Sequence, residues 1–202
     1  MKRYKKLPIL FILLIFILSA CSASKETVNK PSEQNNNEAE NSSLGEKVLY
    51  FAIGGEVKDF DGHFLAGLPE YAVSPNLYSS LVRIPPGKAD VSAIEGDLAE
   101  NWEVNNDATQ WTFYLREGVQ WHKGYGELTS EDVKASFERV MNPDNGITDS
   151  ANFKYVESIE TPDKYTIVFN LSNPDPNFLQ LVMNYRGGHV VNVKAIEAGE
   201  PY

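Results

Sequence analysis

Three stretches decide the fold: GDLAENWEV at residues 96–104, WTFYLREGV at 111–119 and LTSEDVKASFERV at 128–140. In the second, Trp111, Phe113 and Leu115 alternate with Thr112, Tyr114 and Arg116, the period of a strand with one apolar face. Trp102 and Val104 precede it across the polar connection Asn105 to Gln110, which predicts an antiparallel hairpin with its aromatic and aliphatic face in a core. The third stretch changes period. Thr129 supplies a hydroxyl cap, Glu131 and Asp132 are acids in the first turn, and Val133, Phe137, Val140 and Met141 recur at i, i+4, i+7 and i+8. Pro143 stops this helix.

Working outward toward the C-terminus, Tyr155 to Glu160 and Tyr165 to Leu171 read as two strands around the turn Thr161-Pro162-Asp163-Lys164, followed by a short helix from Asn177 to Met183. Toward the N-terminus, Val48 to Ile53 is an apolar run ending in Gly54-Gly55, which predicts a buried strand. Tyr71 to Arg83 places Leu77, Leu81 and Val82 at helical spacing before Pro85-Pro86-Gly87, which predicts a helix. The folded part, residues 46–202, is therefore of mixed α/β class.

The first 45 residues have a different composition. Lys2 to Lys6 are basic, Leu7 to Leu18 is apolar apart from Pro8, and small residues lead into Cys21, the pattern of a secretory signal peptide over 1–21. The apolar run is too short for a spanning helix, so a permanent transmembrane anchor is the weaker reading. Residues 22–45 are rich in Asn, Ser and Glu and hold almost no large apolar side chain, so they cannot offset the entropy of ordering and are expected to be a disordered tether. Such a coil would hold the domain about 25 to 30 Å from a bilayer. Removal of the leader takes four cations and no acid, leaving 14 cations against 28 acids, a formal charge of −14. So negative a chain lacks the field that a phosphate backbone requires, and nucleic acid is excluded as a partner.

The catalytic inventory is nearly empty. His63, His122 and His189 stand about sixty residues apart with no carboxylate or thiol at ligand spacing, so ordinary polar or half-buried histidines are expected and no metal. No nucleophile elbow, Walker loop or dinucleotide fingerprint occurs, and Gly124-Tyr125-Gly126 reads as a turn between hairpin and helix. Glu131 and Asp132 serve the helix dipole more economically than acid–base chemistry. Trp102, Trp111 and Trp121 could form a sugar-stacking platform, yet two of them fit the core face of the hairpin. With a single cysteine there is no internal disulfide framework.

The three opening stretches, together with Asn76 to Val82 (NLYSSLV), Val156 to Glu160 (VESIE) and Lys164 to Phe169 (KYTIVF), resemble the family 5 extracellular solute-binding proteins of ABC importers over residues 47 to 202. Leu18-Ser19-Ala20-Cys21 looks like a bacterial lipobox, which implies cleavage before Cys21 and lipidation of its sulfur. A diacylglycerol and an N-acyl chain together give stable anchoring, at about 0.8 kcal/mol per buried methylene. One departure is Gly62-His63, where the family commonly has Pro-His after Phe-Asp.

The resemblance implies a periplasmic-binding-protein-like class II fold of two lobes, of which this chain holds a partial first lobe. It also implies a monomeric receptor on the extracytoplasmic face of the cell membrane that captures an oligopeptide or other small solute, passes it to an ABC permease, and needs no cofactor. Peptide is favoured over nickel chelate because no histidine cluster occurs. Gly67-Leu68-Pro69-Glu70 resembles the loop that gives backbone contacts to an extended peptide in oligopeptide-binding relatives, so Ala66, Gly67 and Leu68 are the expected ligand contacts, against the plain alternative of a turn. Residues holding the peptide's ends would lie beyond residue 202. The chain is accordingly expected to be a fragment or truncated product that leaves the apolar surface of its hairpin and central helix uncovered. A surface lipoprotein acting by protein contact or peptide-signal sensing is the alternative function, and a secreted hydrolase the third.

Overall fold

The structure, a computed structural model, describes residues 48–200 apart from 89, 91, 184 and 186. The leader, Cys21 and the tether lie outside the described residues. The elements below all belong to the unit Tyr50–Tyr202.

The first helix, α1, is Leu68–Val73, preceded by Gly67 in an extended conformation and begun with Pro69 in its first turn, where the missing N–H costs nothing. A single 3₁₀ turn, Ser74–Asn76, follows. The expected helix from Tyr71 to Arg83 is therefore not what forms. Pro75 has no N–H for the carbonyl of Tyr71, so the α ladder stops, and the N–H groups of Leu77 and Tyr78 both turn to the Ser74 carbonyl at 3.0 and 2.9 Å. Leu81 and Val82 are buried by another route: Val82–Arg83 is a strand, β1, paired antiparallel with β2, Glu95–Gly96. Residues 48–53 form no strand either, and Tyr50 and Phe51 are exposed. An apolar run becomes a strand only by pairing, and no described strand lies alongside this one.

The main sheet has four antiparallel strands in the order β3-β4-β6-β5. Strands β3 (Ala99–Val104) and β4 (Gln110–Leu115) form the expected hairpin, with Trp102 opposite Phe113 and Val104 opposite Trp111. Its connection is closed by the Asn105 side chain, whose oxygen accepts the N–H groups of Thr109 and Gln110 at 2.9 and 3.0 Å. The two later strands are β5 (Val156–Asp163) and β6 (Thr166–Leu171), with Ile159 opposite Phe169. Strand β5 runs on through Pro162, so the turn is tighter than Thr161 to Lys164. An edge strand tolerates a proline, and the ladder is irregular between Glu160 and Asp163. Both edges of the sheet carry exposed acids, Glu100 and Glu103 on β3 and Glu157 and Glu160 on β5.

One face of this sheet is covered by α2, Ser130–Met141, the helix the sequence predicts. Its cap is a complete box: Thr129 Oγ1 accepts the Asp132 N–H and Asp132 Oδ2 accepts the Thr129 N–H at 3.0 Å. Phe137 meets Phe169 edge to face at 5.1 Å between centroids, and Phe113 meets Phe169 in the same way at 5.8 Å. Trp111, Phe113, Leu115, Val133, Phe137 and Val140 are all buried, so the expectation of uncovered faces fails for β4 and α2, while on β3 Trp102 is half-buried and Val104 exposed. The buried residues cover one another, helped by Phe178.

Past β6 the expected helix from Asn177 to Met183 shrinks to one 3₁₀ turn, Phe178–Gln180, because Met183 is drawn into a bridge with Val82. The chain returns so closely there that a Cβ on Gly188 would sit 2.0 Å from the Met183 carbonyl oxygen. A last helix, α3 (Val193–Glu197), is capped by Asn192 Oδ1 accepting the Ala195 N–H at 3.0 Å.

Candidate functional site

The segment expected to meet ligand is a corner at the start of α1. Leu65 is buried, Ala66 exposed, Gly67 half-buried and Leu68 85% exposed. The carbonyls of Leu65 and Gly67 are both spent on Tyr71, which gives its phenol O–H to the first at 3.3 Å and its backbone N–H to the second at 3.1 Å. Ala66, just before the helix, and Leu68, its first residue, are the exposed members of the corner. Leu68 also lines a hollow of about 540 Å³ with Phe51, Ile53, Pro69 and Ala72.

Beneath the corner lies Glu70, 4% exposed. Its Oε1 accepts the N–H of Lys58 at 2.9 Å. A Cβ on Gly67 would fall 2.7 Å from its Oε2. The backbone N–H groups of Lys58, of Glu70 itself and of Gly67 hold this carboxyl below the usual carboxylate range. A larger residue at 67 would therefore have to displace the Glu70 carboxylate, whereas the backbone angle makes no demand, since a φ of −140° suits any residue.

A buried polar cluster stands behind this segment and joins three parts of the chain. Arg139 on α2 donates to both carboxylate oxygens of Asp61, at 2.6 and 3.1 Å, and to Nδ1 of His63 at 2.7 Å. With Nδ1 accepting, His63 carries its proton on Nε2 and donates to the carbonyl of His189 at 2.9 Å. Ser136 Oγ accepts the Val191 N–H at 3.0 Å. Burial pushes the pKa of His63 down to about 4, aided by the Arg139 charge and opposed by the His189 carbonyl and Asp61. His189 is also lowered to about 4, by burial and by the neighbouring His63.

A separate cavity of about 700 Å³ lies between residues 76–79, the loop 119–125 and residues 190–196. Tyr78, Trp121, Val190 and Ile196 contribute its apolar wall, and Lys123, at φ 55°, lies 3.6 Å from Glu200 at its side. None of Ala66, Gly67 and Leu68 lines it. Trp121 does, whereas Trp111 is buried in the core and Trp102 is half-buried on β3, so the three tryptophans share no platform. Asp132 is committed to the helix cap and to Lys194 at 2.8 Å, and Glu131 accepts from the Thr161 hydroxyl, which are structural duties. Sequence spacing gave no sign that His63 and His189 would meet. The one available signal was Asp61, two residues before His63, because its charge had to find a buried cation.

Comparison with known proteins adds the following. The family model described as "Bacterial extracellular solute-binding proteins, family 5 Middle" matches residues 93–201. The dipeptide-binding protein of Escherichia coli K12 is 34% identical over 161 residues, which is 71% of this chain and 30% of that protein. The chain therefore spans well under half the length of this relative. Among solved structures, MoaA of A. tumefaciens R10 in complex with mannopinic acid has a TM-score of 0.64 at 35% identity, covering 68% of this chain and 28% of its own. OppA of Haemophilus influenzae in complex with RPPGFSPFR has a TM-score of 0.62 at 26% identity, covering 72% and 30%.

Proposed function

The chain belongs to the bacterial extracellular solute-binding proteins, family 5, and from that membership we propose that it serves a receptor that captures oligopeptides and hands them unaltered to an ABC permease. Members of this family bind solutes and are not enzymes. Peptide is the favoured ligand because a dipeptide-binding protein and a peptide-bound OppA are among its relatives.

The observation that supports this reading most is the corner at α1. With the carbonyls of Leu65 and Gly67 already spent on Tyr71, the exposed Ala66 would offer backbone to an extended peptide and the exposed Leu68 its side chain. Gly67 permits the close packing that holds them there. The residues of this chain are then one wall of a ligand cleft in the first lobe of a two-lobed receptor. Cys21 would carry the lipid that keeps it on the extracytoplasmic face of the membrane, with residues 22–45 as tether.

The test is uptake. A strain lacking the gene should lose accumulation of labelled tri- to pentapeptides and regain it when the gene is restored. Restoration with Cys21→Ser should release the protein into the soluble extracytoplasmic fraction. Unchanged peptide uptake in the deletion strain would sink the receptor reading, and membrane retention of the Cys21→Ser protein would sink the anchor.

A further inference from the structure

Glu70 is a buried carboxylate that none of the contacts with ligand would use. It is 4% exposed, on the third residue of α1, and its two oxygens are occupied by backbone from two separate segments. Oε1 takes the N–H of Lys58, twelve residues earlier in the chain, at 2.9 Å. Oε2 lies directly under Gly67, so close that a methyl group there would be 2.7 Å from it. A buried anion of this kind is tolerable only while backbone N–H dipoles surround it, and those of Lys58, Glu70 and Gly67 do so. The same contacts fix geometry. They clip the stretch before Asp59 to the start of the helix and set the height of Gly67 above the core.

We propose that Glu70 is the positioning residue of the ligand corner: its carboxylate, clamped between the Lys58 amide and Gly67, sets where the exposed Ala66 and Leu68 are presented to a peptide. This rests on the peptide-receptor reading above. Glu70 does not touch the ligand. It acts through Gly67, and its charge stays buried, so it adds no preference for a cationic ligand.

The test uses the two-lobed receptor in which these residues form one wall, and four variants: Glu70→Gln, Glu70→Ala, Gly67→Ala and the double variant Gly67→Ala/Glu70→Ala. Amide hydrogen exchange at Lys58 reports the clip, exchange at Phe137 on α2 reports the fold, and calorimetry with trialanine and with RPPGFSPFR reports the corner. In Glu70→Ala the Lys58 amide should exchange roughly tenfold faster or more, the loss of one hydrogen bond to a charged group, with Phe137 unchanged. Peptide affinity should fall by roughly the same factor. Glu70→Gln keeps an oxygen for Lys58 but places an amide under Gly67, so it should retain Lys58 protection while still weakening binding. Gly67→Ala should expose Lys58 by pushing the carboxylate away, and the double variant should be no worse than Glu70→Ala alone.

Unchanged Lys58 exchange in Glu70→Ala would overturn the clip. Faster exchange there with wild-type affinity for both peptides would overturn the positioning role. A wild-type two-lobed receptor that binds neither peptide would count against the receptor reading itself, and the exchange comparison would then decide separately whether Glu70 fixes the corner.

Discussion

Arg139 and Asp61, 78 residues apart in sequence, form a two-pronged ion pair at 2.6 and 3.1 Å in which both side chains are nearly excluded from water. The pair fastens the central helix to the loop that leads into the proposed ligand corner. Removing one member leaves the other charged and buried, which costs far more than the pair itself contributes.

Arg139→Met should therefore destabilise the chain by about 3–5 kcal/mol, measured by urea unfolding at pH 7.5. Arg139→Met with Asp61→Asn should recover much of that loss, because no uncompensated charge remains. A single variant within 1 kcal/mol of wild type, an amount small beside that expectation, would show that the pair is not carrying the contact.

Acid should weaken the fold in two windows. The folded chain holds His63 and His189 at about 4, below the ordinary histidine value near 6.5, so between these limits the unfolded chain binds more protons. Their contribution is complete above about pH 6.5 and is lost as the pH falls to about 4. Glu127, held at about 2 by Lys164, Tyr165 and the Gly118 N–H, adds a second loss below about pH 4.5. Urea midpoints at pH 7.5, 5.5 and 4.5 should fall in that order. His189→Phe should flatten the upper window, since neither ring nitrogen of His189 has a hydrogen-bond partner among the described residues, where an apolar ring forfeits nothing. An unchanged slope in that variant would remove His189 from the account.

In the core, Phe137→Ala should cost about 3–5 kcal/mol, because the buried ring packs against both Phe153 and Phe169. Thr129→Ala, which breaks only the cap, should cost about 1 kcal/mol. Thermal unfolding of the two variants would rank them. The reverse order would mean that α2 is held by its cap more than by its packing.

At the corner, Leu68→Asp should leave stability within about 0.5 kcal/mol, since the side chain is 85% exposed. Affinity for trialanine should nevertheless drop. Full affinity with a carboxylate at this position would place the ligand elsewhere.

What could be read in advance follows the range of the forces involved. The β3–β4 hairpin and α2 were legible because their signals are local: a period of two for Trp111, Phe113 and Leu115, and a cap followed by a period near 3.6 for Val133, Phe137 and Val140. Leu81 and Val82 misled because two apolar neighbours fit a helix as well as a strand, and only pairing with Glu95–Gly96 decided between them. Residues 48–53 carry a strand's composition without a described partner. At the corner, Gly67 was legible as a residue of interest, while its reason, the Glu70 oxygen beneath it, was not. The Arg139–Asp61–His63 cluster stayed hidden since it joins residues whose separation in sequence says nothing of their distance in space.

The acids along both rims of the sheet bear on how the protein behaves when crowded. An unpaired strand edge recruits other chains by offering its backbone, but Glu100 and Glu103 on one rim, and Glu157 and Glu160 on the other, would set like charges face to face in any such union. Precipitation at high concentration must then begin somewhere else. The stretch around Tyr50 and Phe51, 92% and 71% open to solvent and free of such charges, offers a stickier surface for encounters between molecules than either rim of the sheet.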